Sequence, residues 1–261
     1  MKINNLKAGT LLSYLQIGLG ILVGVVYTPV MIRLLGQSEY GLYNTVASAI
    51  SMLSFLKWGF NASYIRFYAK YKNKNDSDSI FRLNGLFLLI FSVIGIVAFL
   101  CGLYLTNNLE LVFKDGFTES EYETAKVLMF LLTVNLSLSF PMSVFSNIIT
   151  AHEKFVFLKS LGIINTVISP LVTLPLLLLG YRSIAMVTVT VCVSLLTDTL
   201  YLLYVLLVLK NRFYFTRFEK GLFKGIFVFS AFIAINAIVD QINWNIGKFI
   251  LGRYKGTGAV A

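Results

Sequence analysis

The sequence predicts an all-α integral membrane protein with about seven transmembrane helices. Hydrophobic residues make up 57% of the 261 residues and charged residues only 13%, and the mean hydropathy is +0.78. Soluble domains are about 45–50% apolar and about 25% charged, so this composition excludes an ordinary soluble protein. Seven stretches also reach the length of about 20 mostly apolar residues that a helix needs to cross a bilayer. The polar connectors between them are too short for a separate soluble domain.

The predicted spans follow one another along the whole chain. They cover residues 9–32, 40–63, 83–105, 124–149, 157–180, 184–208 and 225–251. The first span follows Lys2 and Lys7, as the apolar part of a signal peptide does. It is too long for a signal peptide and lacks a small-x-small cleavage site, so we expect it to remain as the first helix.

Lysine and arginine are distributed unequally between the two sides that alternating spans define. Fourteen lie on the side of the N-terminus and six on the other side. Because basic residues favour cytoplasmic loops, the N-terminus is predicted to be cytoplasmic. The same rule explains the net charge of +10, and since no nucleic-acid-binding motif is present, nucleic acid is not an expected partner.

Four prolines interrupt the predicted spans. Pro29 lies near the end of the first span, Pro141 within the fourth, and Pro170 and Pro175 within the fifth. Proline removes a backbone donor, and inside a membrane the freed carbonyl must be buried in protein or face a cavity. Kinked helices line cavities in transporters, but a local packing adjustment also explains any single proline.

Lys57 and Asn61 are polar residues deep in the second predicted span. An ionisable group at such depth costs about 2.5–3.5 kcal/mol and usually marks a functional site. Lys57 is some 13 Å from Arg66 at the end of the span, at about 1.5 Å per residue, and Asn61 lies one turn away on the same face. A cation and an amide that face inward suit a phosphate group. The alternative is a lysine that extends to the cytoplasmic surface beside Trp58.

The seventh predicted span carries one polar stripe. Its members recur at spacings of three and four and therefore share a helix face: Asn236, Asp240, Asn243, Trp244 and Lys248. Such a stripe is predicted to face a bundle interior or a hydrated cavity, because lipid cannot solvate it. Asp240, near mid-span, is the strongest single functional candidate. Lys248 is either part of the site or an anchor at the outer interface.

Asp198 shares a face of the sixth predicted span with Ser194 and Tyr201. It is a candidate for accepting a coupling proton, and the alternative is a structural role with a hydrogen bond to a neighbouring helix. His152 has no partner His or Cys for a metal, and both cysteines lie in apolar runs. The sequence contains no phosphate-binding loop or nucleophile motif, so no catalytic residue and no cofactor are predicted.

Two motifs flank the second predicted span. Leu-Gly-x-x-x-Tyr-Gly-x-Tyr begins at Leu35, and Gly-Phe-x-x-Ser-Tyr-x-Arg-Phe-Tyr begins at Gly59. Together with residues 239–261, they resemble the bacterial polysaccharide flippases, the O-antigen and capsule repeat-unit transporters of the multidrug/oligosaccharidyl-lipid/polysaccharide (MOP) superfamily. The family often has Asp where this chain has Gly247, which leaves Asp240 as the only acid of the polar stripe.

The resemblance implies two homologous six-helix lobes. This chain would then contain an N-terminal transmembrane lobe over residues 1–210, a cytoplasmic inter-lobe linker over 211–224 and the start of a C-terminal lobe over 225–261. The end of the chain, ILGRYKGTGAVA, repeats the build of IRLLGQSEYGLY after the first span. We therefore expect the chain to stop where an eighth span would begin, as a truncated part of a longer protein.

The resemblance also implies a function, namely alternating-access translocation of polyprenyl-diphosphate-linked oligosaccharides across the bacterial cytoplasmic membrane for polysaccharide assembly. The expected partners are the bilayer, the lipid-linked glycan and the polysaccharide polymerase machinery. The candidate substrate-binding residues are Lys57, Asn61, Asp240, Asn243 and Lys248, and the candidate ion-coupling residues are Asp240 and Asp198. The alternatives are a multidrug or metabolite exporter of the same superfamily, or a membrane enzyme of cell-envelope polysaccharide assembly.

Overall fold

The computed structural model describes residues 2–52, 54–109, 118–216, 221–236 and 239. Within these ranges the chain consists of helices joined by turns and short irregular segments, without a β-strand. The helices are α1 (Lys2–Leu35), α2 (Gln37–Met52), α3 (Phe55–Lys72), α4 (Ser77–Asn107), α5 (Glu119–Ala151), α6 (Phe155–Leu178), α7 (Ser183–Leu203) and α8 (Gly221–Asn236). A π-helical turn, Tyr204–Val208, extends α7. This arrangement confirms the predicted all-α fold.

Five of the described helices are long and apolar enough to cross a membrane. They are α1, α4, α5, α6 and α7 with its π-helical extension, and they match the first, third, fourth, fifth and sixth predicted spans. Of the seventh predicted span, the structure describes α8 and Val239, so Asp240, Asn243 and Lys248 lie outside the described residues.

The prediction of one continuous helix over residues 40–63 is wrong, because α2 ends at Met52 and α3 begins at Phe55. The backbone N–H of Lys57 donates to the carbonyl oxygen of Ser54 at 3.0 Å. That is an i to i+3 bond, which forms a tighter turn than the α-helix. The two helices together occupy the place of the second span.

Contacts between loops group the helix ends into two sides. On the predicted external side, Glu39 of α2 accepts hydrogen bonds from the backbone N–H and the hydroxyl of Ser183, at 2.9 and 2.7 Å. On the predicted cytoplasmic side, Lys72 of α3 lies 3.7 Å from the carboxylate of Glu153. Asp76 on that side caps α4 by accepting from the backbone N–H of Ser79 at 3.0 Å. The helix ends therefore alternate between the two sides as the charge count assumed.

Helix α5 is central to the bundle and packs against α4, α7, α2 and α3. Pro141 lies inside α5 and leaves the carbonyl of Ser137 without its helical donor. That oxygen lies against Gly95 of α4, where an added Cβ would be only 2.6 Å from it. The freed carbonyl is therefore covered by a neighbouring helix, as the membrane requires.

The segment 209–216, which follows α7, lies along the first turns of α4. The N–H of Tyr214 donates to the carbonyl oxygen of Phe81 at 3.0 Å. The rings of the two residues pack edge to face, with their centroids 5.4 Å apart. Asn84, which is fully buried, donates to the carbonyl oxygen of Arg212 at 3.2 Å and accepts from the Tyr64 hydroxyl at 2.7 Å. One buried side chain thus joins α3, α4 and this segment.

Candidate functional site

Lys57 points from α3 into the helix bundle. Its ammonium group donates a hydrogen bond to the hydroxyl of Ser139 and lies 5.1 Å from the centroid of the Phe140 ring. Phe140 is fully buried, so the lysine contacts the interior of α5. Of the two sequence interpretations, the structure agrees with the inward-facing lysine and not with one that extends to the surface.

Asn61 lies one turn after Lys57 and also faces α5. Its side-chain oxygen accepts a hydrogen bond from the Asn147 amide at 2.7 Å, and Asn147 is buried. The two predicted site residues of α3 therefore lie side by side against one helix, as their spacing of four indicated.

Asp198 of α7 lines a cavity of about 460 Å³ between α6 and α7. Among the residues that the structure describes, no group donates a hydrogen bond to its carboxylate, so the alternative of a bond to a neighbouring helix is not observed there. Asp198 and Lys57 form no direct ion pair. Each lies within range of the other's charge, so a predicted cation and a predicted anion of the site occupy neighbouring parts of the bundle.

Most of the residues that line the cavity have polar side chains, although the surface that they expose to it is mainly apolar. Besides Asp198, the lining consists of Asn165, Thr166, Ser169, Thr190, Val193, Ser194, Thr197 and Tyr201. Thr197 joins the two helices by donating to the Asn165 side-chain oxygen at 2.8 Å. The cavity therefore offers a few hydroxyl and amide groups on an otherwise apolar surface, as ligand sites commonly do.

Sequence reasoning missed several uncharged residues beside the predicted ones. Ser139 and Asn147 of α5 contact Lys57 and Asn61, and Asn165 of α6 faces α7. A signal for them exists, because Asn165 and Ser169 are four residues apart and share a helix face. Neutral polar residues are common in membrane helices, however, so only the packing of the helices identifies which ones meet.

Helix α8 packs against the other side of α3. The hydroxyls of Ser63 and Ser230 are 2.7 Å apart, and the Arg66 guanidinium lies 4.3 Å from the centroid of the Phe229 ring. A Cβ added to Gly59 would lie 2.4 Å from the carbonyl oxygen of Ser230, so the two backbones touch there. Asn236, the first member of the predicted polar stripe, is exposed at the end of α8.

His152 lies in the turn between α5 and α6, on the predicted cytoplasmic side. Its ring nitrogens are within 3.4 Å of the Tyr68 hydroxyl. Burial lowers the pKa of His152, and the positive charges of Lys72 and Lys154 act in the same direction. Within the described ranges no three His, Cys, Asp or Glu side chains are grouped as a metal site would require. We therefore interpret His152 as a packing residue.

A bundle of apolar helices around buried polar side chains defines the class of the molecule, a multi-pass membrane protein. The family whose model matches residues 6–261 is described as "Polysaccharide biosynthesis protein". The match covers nearly the whole chain, so the protein belongs to this family. The resemblance that the motifs at Leu35 and Gly59 indicated is thereby confirmed.

Solved structures of MOP-superfamily transporters share the fold. One is a transporter from Pyrococcus furiosus with a binding pocket of reversed polarity, at a TM-score of 0.72. Another is a MATE protein in complex with MaD3S, at 0.74, and a third is the outward-facing form of a multidrug resistance MATE transporter, at 0.69. Each is 14% identical to this chain, and 98% of this chain is covered.

The chain spans 58–59% of the length of these three structures. No curated protein matches the chain. At 14% identity the structural similarity establishes the fold, and the site chemistry has to be argued from this chain's own residues.

Proposed function

We propose that the protein takes part in moving an oligosaccharide linked to a polyprenyl diphosphate across the bacterial cytoplasmic membrane by alternating access. The observation that carries this proposal is the inward-facing Lys57, held by Ser139 and Phe140 inside the bundle of a polysaccharide biosynthesis protein. A diphosphate that enters a membrane protein needs a cation, because its charge is poorly solvated away from water. We assign Lys57 to the diphosphate.

Asn61 and Asp198 have supporting roles in this proposal. The Asn61 amide lies one turn from Lys57 and supplies a neutral donor beside the cation. Asp198 is our candidate for coupling to an ion, since its carboxylate lines a cavity between two membrane helices. Asp240, Asn243 and Lys248 stay predictions for the same site. The expected partners stay the bilayer, the lipid-linked glycan and the polymerase machinery, and we expect no enzymatic activity.

Export of a drug or metabolite is the second candidate function. It is favoured by the fold that this chain shares with a multidrug resistance transporter of the MATE family. The family assignment favours the glycan substrate, because the matching family is one of polysaccharide biosynthesis.

The experiment that separates the two candidates measures binding of a polyprenyl diphosphate, the matching polyprenol and a lipophilic cation to the protein at its natural length in lipid nanodiscs. We expect the diphosphate to bind at least about tenfold more tightly than the polyprenol, and Lys57→Ala to abolish that preference. Lys57→Arg should retain part of the preference, and Lys7→Ala, an exposed lysine, is the matched control. Equal binding of diphosphate and polyprenol would contradict the proposal, and binding of the cation alone would favour an exporter.

A further inference from the structure

The cavity between α6 and α7, which we name the α6–α7 groove, presents polar groups that are free to bind a ligand. Within the described part of the chain, the hydroxyls of Ser169 and Ser194 and the amide nitrogen of Asn165 donate to no protein group. The hydroxyls of Thr166 and Thr190, by contrast, donate to carbonyls of their own helices, at 2.9 and 3.0 Å. Free donors inside a membrane are unfavourable unless a polar ligand or water satisfies them.

The charge of the groove disfavours a phosphate within it. Asp198 is the one charged residue of the lining, and its carboxylate repels an anion. The remaining lining supplies hydroxyls, an amide, an aromatic ring at Tyr201 and a mainly apolar exposed surface. Alcohol and amide groups on a ligand are the natural partners of such a surface.

The dimensions of the groove suit an elongated ligand. Thr190 and Tyr201 mark its ends along α7, and eleven residues at about 1.5 Å each place them some 16 Å apart. The cavity volume of about 460 Å³ falls in the range of small-molecule sites. The groove is therefore longer than a single phosphate or ion requires.

We propose that the α6–α7 groove binds the neutral sugar units of the substrate, with donors at Ser169, Ser194 and Asn165. This inference rests on the proposed function and divides the substrate between two sites. The diphosphate binds at Lys57, and the sugars bind in the groove beside Asp198.

The test uses neutral trisaccharides and inorganic pyrophosphate as separate probes on the protein in nanodiscs. Dissociation constants for maltotriose, triacetylchitotriose and pyrophosphate are measured by nuclear magnetic resonance titration, which detects weak binding. The double variant Ser169→Ala/Ser194→Ala removes two free hydroxyls. The matched control is Thr188→Ala/Thr199→Ala, whose hydroxyls are exposed on α7 and donate to their own helix.

We expect at least one trisaccharide to bind and the Ser169→Ala/Ser194→Ala variant to weaken that binding about fivefold or more, with pyrophosphate binding unchanged. Lys57→Ala should weaken the binding of pyrophosphate and leave the binding of the trisaccharide unchanged. If no trisaccharide binds, or if the control weakens binding as much as the serine variant, the groove is not the sugar site. Pyrophosphate binding that depends on Lys57 would in that case leave the proposed function standing. Trisaccharide binding without any pyrophosphate binding would overturn the role of Lys57 and leave the sugar site standing.

Discussion

Asn84 offers the sharpest test of how the segment 209–216 is held on the bundle. Its side chain accepts from the Tyr64 hydroxyl at 2.7 Å and donates to the carbonyl oxygen of Arg212 at 3.2 Å and to the side-chain oxygen of Asn211 at 3.5 Å. Asn84→Ala removes all three bonds, whereas Tyr64→Phe removes only the first. The two variants therefore separate the bonds that fix the segment from the bond that lies within the helix bundle.

The expected magnitudes follow from these bonds. Tyr64 and Asn84 are both fully buried, so the groups left behind lose their partners without gaining water. Each net hydrogen bond contributes about 1 kcal/mol, and leaving a buried group unpaired costs about 1–3 kcal/mol. We expect Asn84→Ala to lower the free energy of unfolding by about 2–4 kcal/mol and Tyr64→Phe by about 1 kcal/mol.

Limited trypsin digestion measures the release of the segment. Lys210 and Arg212 are exposed cleavage sites within it. When opening is fast, cleavage follows the population of the open form, and a loss of about 1 kcal/mol at the Arg212 carbonyl raises that population about fivefold. Asn84→Ala should therefore be cut about five times faster, and Tyr64→Phe at the rate of the unaltered protein.

Two results would refute this reasoning. If Asn84→Ala is cut no faster than the unaltered protein, the segment is held by Phe213 and Tyr214, whose rings contact Phe145 and Phe81. If Tyr64→Phe is cut as fast as Asn84→Ala, the faster cleavage reflects a general loosening of the bundle and not the release of the segment. Gly85→Ala is an independent check, because its added Cβ would lie 2.1 Å from the carbonyl oxygen of Tyr214 and should also speed cleavage.

Three further predictions concern stability in detergent. Gly95→Ala places a methyl group 2.6 Å from a carbonyl oxygen of α5, and we expect the melting temperature to fall by about 5 °C, whereas Gly20→Ala, with no atom within 4 Å, should leave it unchanged. Glu39→Ala removes the cap of α7 and should lower the free energy of unfolding by about 1–2 kcal/mol in denaturant titrations. The hydrogen bonds from Ser79 hold the pKa of Asp76 in the folded protein below its ordinary 3.8. The Asp76 carboxylate therefore stabilises the fold fully above pH 3.8, and this stabilisation is lost as the pH falls through the lowered pKa of the folded protein. Melting curves of Asp76→Ala and the unaltered protein should therefore differ at neutral pH and converge in strong acid.

The membrane helices could be predicted from the sequence because a long apolar stretch is nearly sufficient evidence for a spanning helix. Hydrogen bonds of a spanning helix are internal, so long apolar runs such as the one ending at Asn107 become helices whatever their neighbours are. The shared face of Lys57 and Asn61 also followed from local spacing, since residues four apart lie on one side of a helix, but the direction of that face was left open between two alternatives. The break at Ser54 was not predictable in this way, because the run of apolar residues continues across it.

The α6–α7 groove required the tertiary structure. Its members come from two helices and are mostly neutral, so no charge marks them in the sequence. Asn165 and Thr197 are 32 residues apart, and only the packing of α6 against α7 brings them within 2.8 Å. The contact between Gly95 and the carbonyl of Ser137 also required the tertiary structure. The sequence shows that Pro141 frees this carbonyl, but only the packing of α4 against α5 shows what covers it.

The two faces of α3 connect the proposed diphosphate site to α8. At about 100° per residue, Gly59 and Ser63 lie roughly 200° and 240° around the helix from Lys57, whereas Asn61 lies only about 40° away. One face therefore contacts α5, and the opposite face contacts α8 through the Ser63–Ser230 pair at 2.7 Å. Because the backbones of α3 and α8 touch at Gly59, no flexible side chain is available there to absorb a displacement. A movement of α8 relative to α5 must therefore break the serine pair or carry α3, and with it Lys57, along.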